Sequence, residues 1–194
     1  MNNLKSQSYK IKRSDFEKRN KHRGIVLWFI GLSGSGKSTL ANGLQSKLFE
    51  NDFNAIVLDG DNTRLGINKD LGFSEKDRNE NIRRVAEISK LFVDTGHIVI
   101  NAFISPFEIN RIQARNIISD TDFLEVYIDS SISACEKRDV KGLYKKARAG
   151  AINDFTGISS PFEVPVKPDI LVKTDEQTPN ESIDYLFEQL ISKL

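Results

Sequence analysis

Residues 25–38 join an apolar run to a glycine-rich loop and then to a helical pattern. Residues 25–30 are all apolar, and Gly31-Leu-Ser-Gly-Ser-Gly-Lys-Ser38 follows at once. An apolar run of this length predicts a buried strand, and the spacing of apolar residues after Ser38 predicts a helix. A strand, the pattern G-x-x-x-x-G-K-[ST] and a helix together indicate a phosphate-binding loop. The chain is therefore expected to fold as an α/β protein with this loop beyond the end of a strand.

Each part of the loop has a chemical reason. Gly31, Gly34 and Gly36 allow left-handed backbone angles and close approach of the backbone to phosphate. Successive N–H groups then converge on a phosphate at the helix N-terminus, where the helix dipole favours anions. Lys37 is expected to reach the β- and γ-phosphate oxygens, and the Ser38 hydroxyl to join the shell of Mg²⁺. The expected ligand is ATP with Mg²⁺.

A guanine-nucleotide switch is the first alternative for such a loop. It would carry an Asn-Lys-x-Asp guanine-reading segment after a late strand, whereas residues 68–71 read Asn-Lys-Asp-Leu and follow the second predicted strand. The sequence therefore favours a kinase.

Strand-like and helical patterns alternate from Gly24 onward. Further strands are predicted at 54–58, 98–104, 123–128 and 170–172, and helices at 38–49, 77–94, 106–118 and 177–194. Strands separated by helices form β-α-β crossovers, which give a parallel sheet. We predict one kinase domain over residues 24–194, with a five-stranded, mainly parallel sheet and helices on both faces.

Two segments break this rhythm. Residues 1–23 are polar and charged, and are expected to form an N-terminal arm or a short helix in which His22 is solvated. Residues 141–168 are basic and rich in glycine and proline, a composition that favours a functional loop within a compact domain. We expect this second segment to be a mobile lid over the nucleotides.

Composition excludes several classes of partner. A net charge of +1 gives no general field to attract nucleic acid or an anionic membrane. The longest apolar run is six residues, too short to span a bilayer, and the N-terminal residues lack the apolar segment of a secretory signal. Cys135 is the only cysteine, so an internal disulfide is impossible. The expected location is the cytoplasm.

Two carboxylates follow the second predicted strand, at Asp59 and Asp61. Ligands of parallel α/β sheets lie beyond the carboxyl ends of the strands, so both side chains should face the phosphate-binding loop. One could hold Mg²⁺ through water and the other could accept the proton of the acceptor hydroxyl. The sequence leaves open which does which.

A group of cationic and aromatic residues follows. Arg78 and Asn81 are three residues apart on a predicted helix and should project together. Forked guanidinium groups suit sulfate or phosphate, and Phe73 could stack on a purine or pack into the core. At least one of Arg83 and Arg84 is expected to be an ordinary surface charge.

Several short motifs together resemble those of the adenylylsulfate (APS) kinase family. They are residues 27–38 with the phosphate-binding loop, Leu-Asp-Gly-Asp-Asn at 58–62, Asp-Leu-Gly-Phe-Ser at 70–74, Asn-Ile-Arg-Arg at 81–84, Phe-Ile-Ser-Pro at 103–106 and Lys-Gly-Leu-Tyr-Lys-Lys-Ala-Arg at 141–148. The resemblance runs from about residue 24 to 194. It implies an enzyme of sulfate assimilation that makes 3′-phosphoadenylylsulfate (PAPS) from ATP and APS, usually as a homodimer.

The resemblance also implies roles for particular residues. The implied ATP contacts are Gly31, Leu32, Ser33, Gly34, Ser35, Gly36, Lys37, Ser38, Thr39, Arg138 and Arg148. The implied APS contacts are Asp61, Arg64, Phe73, Arg78, Asn81, Ile104, Ser105, Lys141, Gly142, Leu143 and Phe162. Within this set Arg64, Arg78 and Asn81 hold the phosphosulfate side, and Phe73 and Phe162 enclose the adenine. Ser38 and Asp59 are the implied metal contacts, and Lys37, Asp59, Asp61 and Ser105 the implied catalytic residues.

Ser105 matches a serine that the family assigns as a phosphoserine intermediate. No histidine or lysine that could act as its base is adjacent in sequence, so we predict direct in-line transfer with Ser105 as a positioning hydroxyl. Two further readings stay open, namely a kinase for another small molecule such as a sugar, and a nucleotide-binding regulator without activity.

Overall fold

The computed structural model describes Lys5 and residues 7–194, so residues 1–4 and 6 of the predicted arm lie outside the described part of the chain. The strands are β1 (Ile25–Ile30), β2 (Ala55–Asp59), β3 (Ile98–Ala102), β4 (Phe123–Asp129) and β5 (Ile170–Lys173). The helices are α1 (Arg13–Asn20), α2 (Lys37–Glu50), α3 (Gly60–Leu65), α4 (Glu75–Val93), α5 (Glu108–Ile118), α6 (Ile132–Arg138), α7 (Leu143–Arg148) and α8 (Pro179–Ile191). All strands pair in parallel, in the order β2-β3-β1-β4-β5.

Strand β1 is the centre of the sheet and is buried along its whole length. Ile25, Leu27 and Phe29 face the core that α2 and α8 cover, while Val26, Trp28 and Ile30 face the core under α4 and α5. A strand that is covered on both faces must be apolar at every position, which explains the unbroken apolar run. The predicted parallel sheet with helices on both faces is confirmed.

The predicted strands and the four predicted helices are present, and the short helices α6 and α7 are additions to them. Two further differences are local. Strand β3 ends at Ala102 rather than at Ile104, because the backbone turns away from the sheet and reaches a left-handed φ of 44° at Ser105. Helix α3 was not predicted. It begins directly after β2, where the Asp59 carboxylate accepts a hydrogen bond from the Asp61 N–H and caps the first turn.

The described part of the N-terminal arm packs on the domain. Arg13 on α1 donates to both carboxylate oxygens of the buried Asp122, and Arg23 also pairs with this carboxylate. His22 is buried rather than solvated, contrary to expectation: its Nε2 accepts from the Asn54 N–H and its ring contacts Phe53. These contacts join residues far apart in sequence, so composition alone could not predict them.

The predicted lid contains helix α7 and a small core of its own. Tyr144 and Phe155 pack with Leu32 of the phosphate-binding loop and with Cys135 of α6. The segment is thus attached to the loop that it was expected to cover. Among the described residues, no helix combines the length and the apolar character needed to cross a bilayer.

Candidate active site

The phosphate-binding loop joins the end of β1 to the first turn of α2. Gly34 and Gly36 have φ values of 77° and 103°, which side chains rarely tolerate, and a Cβ at Gly34 would lie 3.1 Å from the Cys135 carbonyl oxygen. Gly36 is the N-cap of α2, so the N–H groups of Lys37, Ser38 and Thr39 belong to the first turn. This arrangement is the anion-binding end of a helix.

Lys37 is buried in the loop that precedes it. Its Nζ donates to the carbonyl oxygens of Gly31 at 2.9 Å and Leu32 at 2.7 Å. Burial lowers the pKa of the Lys37 ammonium from its usual 10.5 to about 8, although the carboxylates of Asp59 and Asp61 act in the opposite direction. Burial therefore disfavours the charged form of Lys37, and an anion such as phosphate beside it would stabilise that form.

Ser38 and Asp59 meet although they come from different elements. The Ser38 hydroxyl donates to Asp59 Oδ2 at 2.6 Å, while Asp59 Oδ1 accepts from the Asp61 N–H at 2.9 Å. Mg²⁺ in phosphotransferases is usually held by one or two protein oxygens together with substrate phosphates. A hydroxyl and a carboxylate beside a phosphate-binding loop fit this ion.

Asp61 faces a different partner from Asp59. Its carboxylate pairs with the Nζ of Lys141, which lies just before α7 in the lid segment. Both side chains are largely exposed to solvent. The two aspartates therefore differ in their surroundings. Asp59 lies beside Ser38 of the phosphate-binding loop, and Asp61 lies beside Lys141 of the lid.

Arg64, Phe73 and Arg78 form a cationic and aromatic group. The Arg64 guanidinium lies 4.6 Å from the centre of the Phe73 ring and donates to the Gly72 carbonyl. Burial and then the positive charge of Arg78 lower the pKa of Arg64. Two guanidinium groups close enough to repel each other favour an anion between them.

Arg78 also bridges α4 to the lid segment. Its Nε donates to the Phe73 carbonyl at 2.8 Å and its Nη2 to the Asp154 carbonyl at 3.0 Å. Asn81, on the same helix, is buried, and its Oδ1 accepts from Asn68 Nδ2 at 3.0 Å. Asn68 was not predicted as a residue of this site, because it follows α3 and meets Asn81 only through the fold.

Ser105 is only 2% exposed, at the turn after β3. Its Oγ accepts from the Trp28 indole N–H at 2.9 Å, and its carbonyl accepts from Arg111 of α5 at 3.2 Å. Neither Trp28 nor Arg111 was predicted as a site residue, because Trp28 lies on β1 and Arg111 on α5 and only the fold brings them to Ser105. Ile104 is the half-buried residue beside it.

The remaining predicted contacts lie around the lid. Arg138 donates to the Gly34 carbonyl at 3.3 Å, which brings it to the phosphate-binding loop. Arg148 instead pairs with Glu136 of α6 at 2.7 Å and is exposed. Gly142 has a left-handed φ of 64° at the start of α7, and Leu143 packs beside the small lid core.

A cleft of about 640 Å³ lies beside the loop, and its lining includes Leu32, Tyr127 and residues 157–162. Phe162 lies in this cleft and stacks on Tyr127, with ring centres 6.1 Å apart. Phe73, its predicted partner around the adenine, is 70% exposed and is covered by Arg64. Among the described residues, Phe162 therefore stacks on Tyr127 and Phe73 on Arg64, and each of the two rings has its own neighbour.

The family model, the sequence relatives and the solved structure described next are all adenylylsulfate kinases. A sequence model of the adenylylsulphate kinase family matches residues 23–173. The adenylyl-sulfate kinase of Clostridium acetobutylicum is 55% identical over 195 residues, covering 98% of this chain and 97% of the relative. That of Staphylococcus haemolyticus is 49% identical, covering 98% and 96%. The structure of the Mycobacterium tuberculosis APS kinase in complex with AMPPNP and APS superposes with a TM-score of 0.83 at 47% identity, over 87% of this chain and 98% of that one.

The buried ammonium of Lys37 predicts a particular dependence of stability on pH. Its pKa of about 8 in the folded protein lies below the value of about 10.4 expected in the unfolded chain. Between these values the unfolded state binds more protons, so the free energy of unfolding should rise with pH, by about 2–3 kcal/mol in total. Urea unfolding from pH 7 to 10.5 should show this rise in the wild type and not in Lys37→Met.

Lys145→Met, which removes an exposed lysine from α7, is the control and should keep the rise. Lys37→Met should also lower kcat by at least about 100-fold, because a preorganised charge at the reacting phosphates is lost. Parallel pH curves for wild type and Lys37→Met would contradict the stability argument, and retention of more than about a tenth of kcat would contradict the catalytic one.

Proposed function

The chain belongs to the adenylylsulfate kinase family, and we infer that it transfers the γ-phosphate of ATP to the 3′-hydroxyl of APS, giving ADP and PAPS in sulfate assimilation. The observation that carries this conclusion is the contact between Ser38 and Asp59 at 2.6 Å. It joins the phosphate-binding loop to the carboxylates that follow β2. Donor phosphates and an acceptor hydroxyl can therefore meet at one edge of the sheet.

On the donor side, the loop from Gly31 to Ser38 binds the phosphates of ATP and Lys37 neutralises the transferring group. We assign Mg²⁺ to Ser38 and Asp59, where the ion, when bound, neutralises charge on the β- and γ-phosphates. Arg138 supports this side, since it already reaches the Gly34 carbonyl. Arg148 would have to leave Glu136 to reach ATP.

On the acceptor side, Asp61 is the better candidate for the base. Both oxygens of Asp59 are engaged, one by Ser38 and one by the Asp61 N–H. Among the described residues, the Asp61 carboxylate is held only by the exposed Lys141, so it can turn to an acceptor hydroxyl. Arg64 and Arg78 would bind the phosphosulfate group between them, and the cleft beside Phe162 would take the adenine.

The assembly is proposed from the family resemblance, and the location from the single cysteine, Cys135. We assign a homodimer in the cytoplasm. Light scattering of the purified chain would test the assembly, since a dimer of the 21.9 kDa chain has twice that mass.

The reaction is tested by ADP release. ATP and Mg²⁺ with APS should release ADP at a rate far above that with AMP, adenosine or simple sugars, because only APS offers both a nucleoside hydroxyl and a phosphosulfate group for the two arginines. Turnover with a sugar and not with APS would replace this proposal with another small-molecule kinase. ATP binding without turnover of any acceptor would replace it with a non-catalytic nucleotide binder.

Arg78→Ala should raise KM for APS by roughly 10- to 150-fold with little change in KM for ATP, because one charge-assisted contact is worth about 1.5–3 kcal/mol. Arg83→Ala is the matched control. Arg83 lies on the same helix but pairs with Glu80 and Glu87, so its loss should leave both KM values within about twofold. A rise in KM for ATP instead of APS would mean that the two nucleotide sites are assigned the wrong way round.

Ser105→Ala should keep turnover. The Ser105 Oγ is occupied by the Trp28 indole, and among the described residues no carboxylate or histidine contacts it. The substitution then removes one neutral hydrogen bond, worth about 0.5–1.5 kcal/mol or roughly three- to twelvefold in rate. Chirally labelled γ-phosphate should emerge with inversion. Retention at phosphorus, together with phosphorylated Ser105 that APS discharges at the rate of turnover, would establish the covalent route instead.

A further inference from the structure

Side chains hold the peptide carbonyl groups of the phosphate-binding loop. The carbonyl oxygens of Gly31, Leu32, Ser33, Gly34 and Ser35 each accept a side-chain hydrogen bond. Lys37 supplies the first two bonds and Arg138 supplies the bond to Gly34. The other two come from Tyr144 and Thr174, to which the sequence motifs assigned no role.

Tyr144 reaches the loop from the lid helix α7. Its hydroxyl donates to the Ser33 carbonyl at 2.9 Å. The ring is only 2% exposed and packs edge-on against Phe155, with centres 4.9 Å apart. The Asp139 carboxylate accepts from the Tyr144 backbone N–H, which fixes the start of the helix. Burial raises the pKa of the phenol, so the hydroxyl stays protonated and able to donate.

Thr174 reaches the loop from the other side, directly after β5. Its Oγ1 lies 3.1 Å from the Ser35 carbonyl oxygen and 3.2 Å from that of Asp129. Arg138 Nη1 donates to the same Oγ1, so the hydroxyl proton is available for the two carbonyls. The Thr174 backbone N–H also donates to Asp129, which ties the residue to the end of β4.

Holding a carbonyl also orients the next N–H. In a trans peptide the C=O and the N–H point to opposite sides, and the described chain has no cis peptide bond. The bond from Tyr144 to the Ser33 carbonyl therefore turns the Gly34 N–H away from the lid core. The bond from Thr174 to the Ser35 carbonyl turns the Gly36 N–H away from Thr174 and the end of β5. Neither N–H donates to another backbone group within the described residues, so both remain available to an anion.

We propose that Tyr144 and Thr174 are positioning residues that hold the peptide groups of the phosphate-binding loop in the orientation that binds the phosphates of ATP. This rests on the proposed role of the loop as the ATP site. The two residues act on different peptides and from different elements, so each tests the idea separately. Neither touches the reacting atoms.

The test is the affinity for AMPPNP with Mg²⁺, measured by calorimetry, together with the affinity for APS. Tyr144→Phe keeps the ring in its core and removes only the hydroxyl. It should weaken AMPPNP binding by roughly three- to twelvefold. Thr174→Val should do the same. Affinity for APS should stay within about twofold of wild type, since a lost hydrogen bond to the loop does not alter the acceptor cleft.

Tyr185→Phe is the matched control. Tyr185 lies on α8 against the core, and its hydroxyl makes no hydrogen bond among the described residues, so AMPPNP affinity should be unchanged. Wild-type AMPPNP affinity in both Tyr144→Phe and Thr174→Val would overturn the inference, as would an equal loss of AMPPNP and APS affinity, which indicates general loosening. A wild-type protein that binds no AMPPNP would instead overturn the proposed function.

Discussion

Strand β1 is hydrogen-bonded to β3 on one side and to β4 on the other, which fixes the point at which Gly31 leaves the sheet. Because all the strands are parallel, β2, β3 and β5 end at the same edge. Asp59, the last residue of β2, and Thr174, which follows β5, both contact the loop that follows β1. The candidate site thus depends on a backbone ladder whose residues take no part in the chemistry. Its rigidity comes from an apolar strand that is buried on both faces.

The electrostatics of the site are local, since the net charge of the chain is only +1. Lys37 is buried, and Arg64 and Arg78 are close enough to repel each other. Each arrangement costs free energy in the protein alone and is relieved by a bound anion. A chain can in this way bind two anionic nucleotides strongly without attracting nucleic acid over its whole surface.

Periodicity and motif spacing predicted the strands, the principal helices and the parallel sheet, because an apolar run or stripe reports burial directly. The two carboxylates after β2 were also predicted to face the loop, since topology requires it. The family resemblance implied that Asp59 shares a metal ion with Ser38, but the direct hydrogen bond between them and the pairing of Asp61 with Lys141 were not predicted. Asp59 and Ser38 are 21 residues apart in sequence, and Asp61 and Lys141 are 80 residues apart. A local sequence pattern cannot predict contacts between residues this far apart. The burial of His22 beside Phe53 was missed for the same reason.

Helix α7 is placed between the two halves of the proposed reaction. Lys141, just before it, pairs with Asp61 on the acceptor side, while Tyr144 within its first turn holds the Ser33 carbonyl on the donor side. A helical turn advances only about 5.4 Å, so a displacement of this short helix that lengthens one contact must also disturb the other. The family resemblance implies that Lys141, Gly142 and Leu143 contact APS, so one short segment carries both these implied contacts and the tyrosine that holds the loop. One buried tyrosine thus joins the lid to the loop, through a single hydrogen bond to the Ser33 carbonyl.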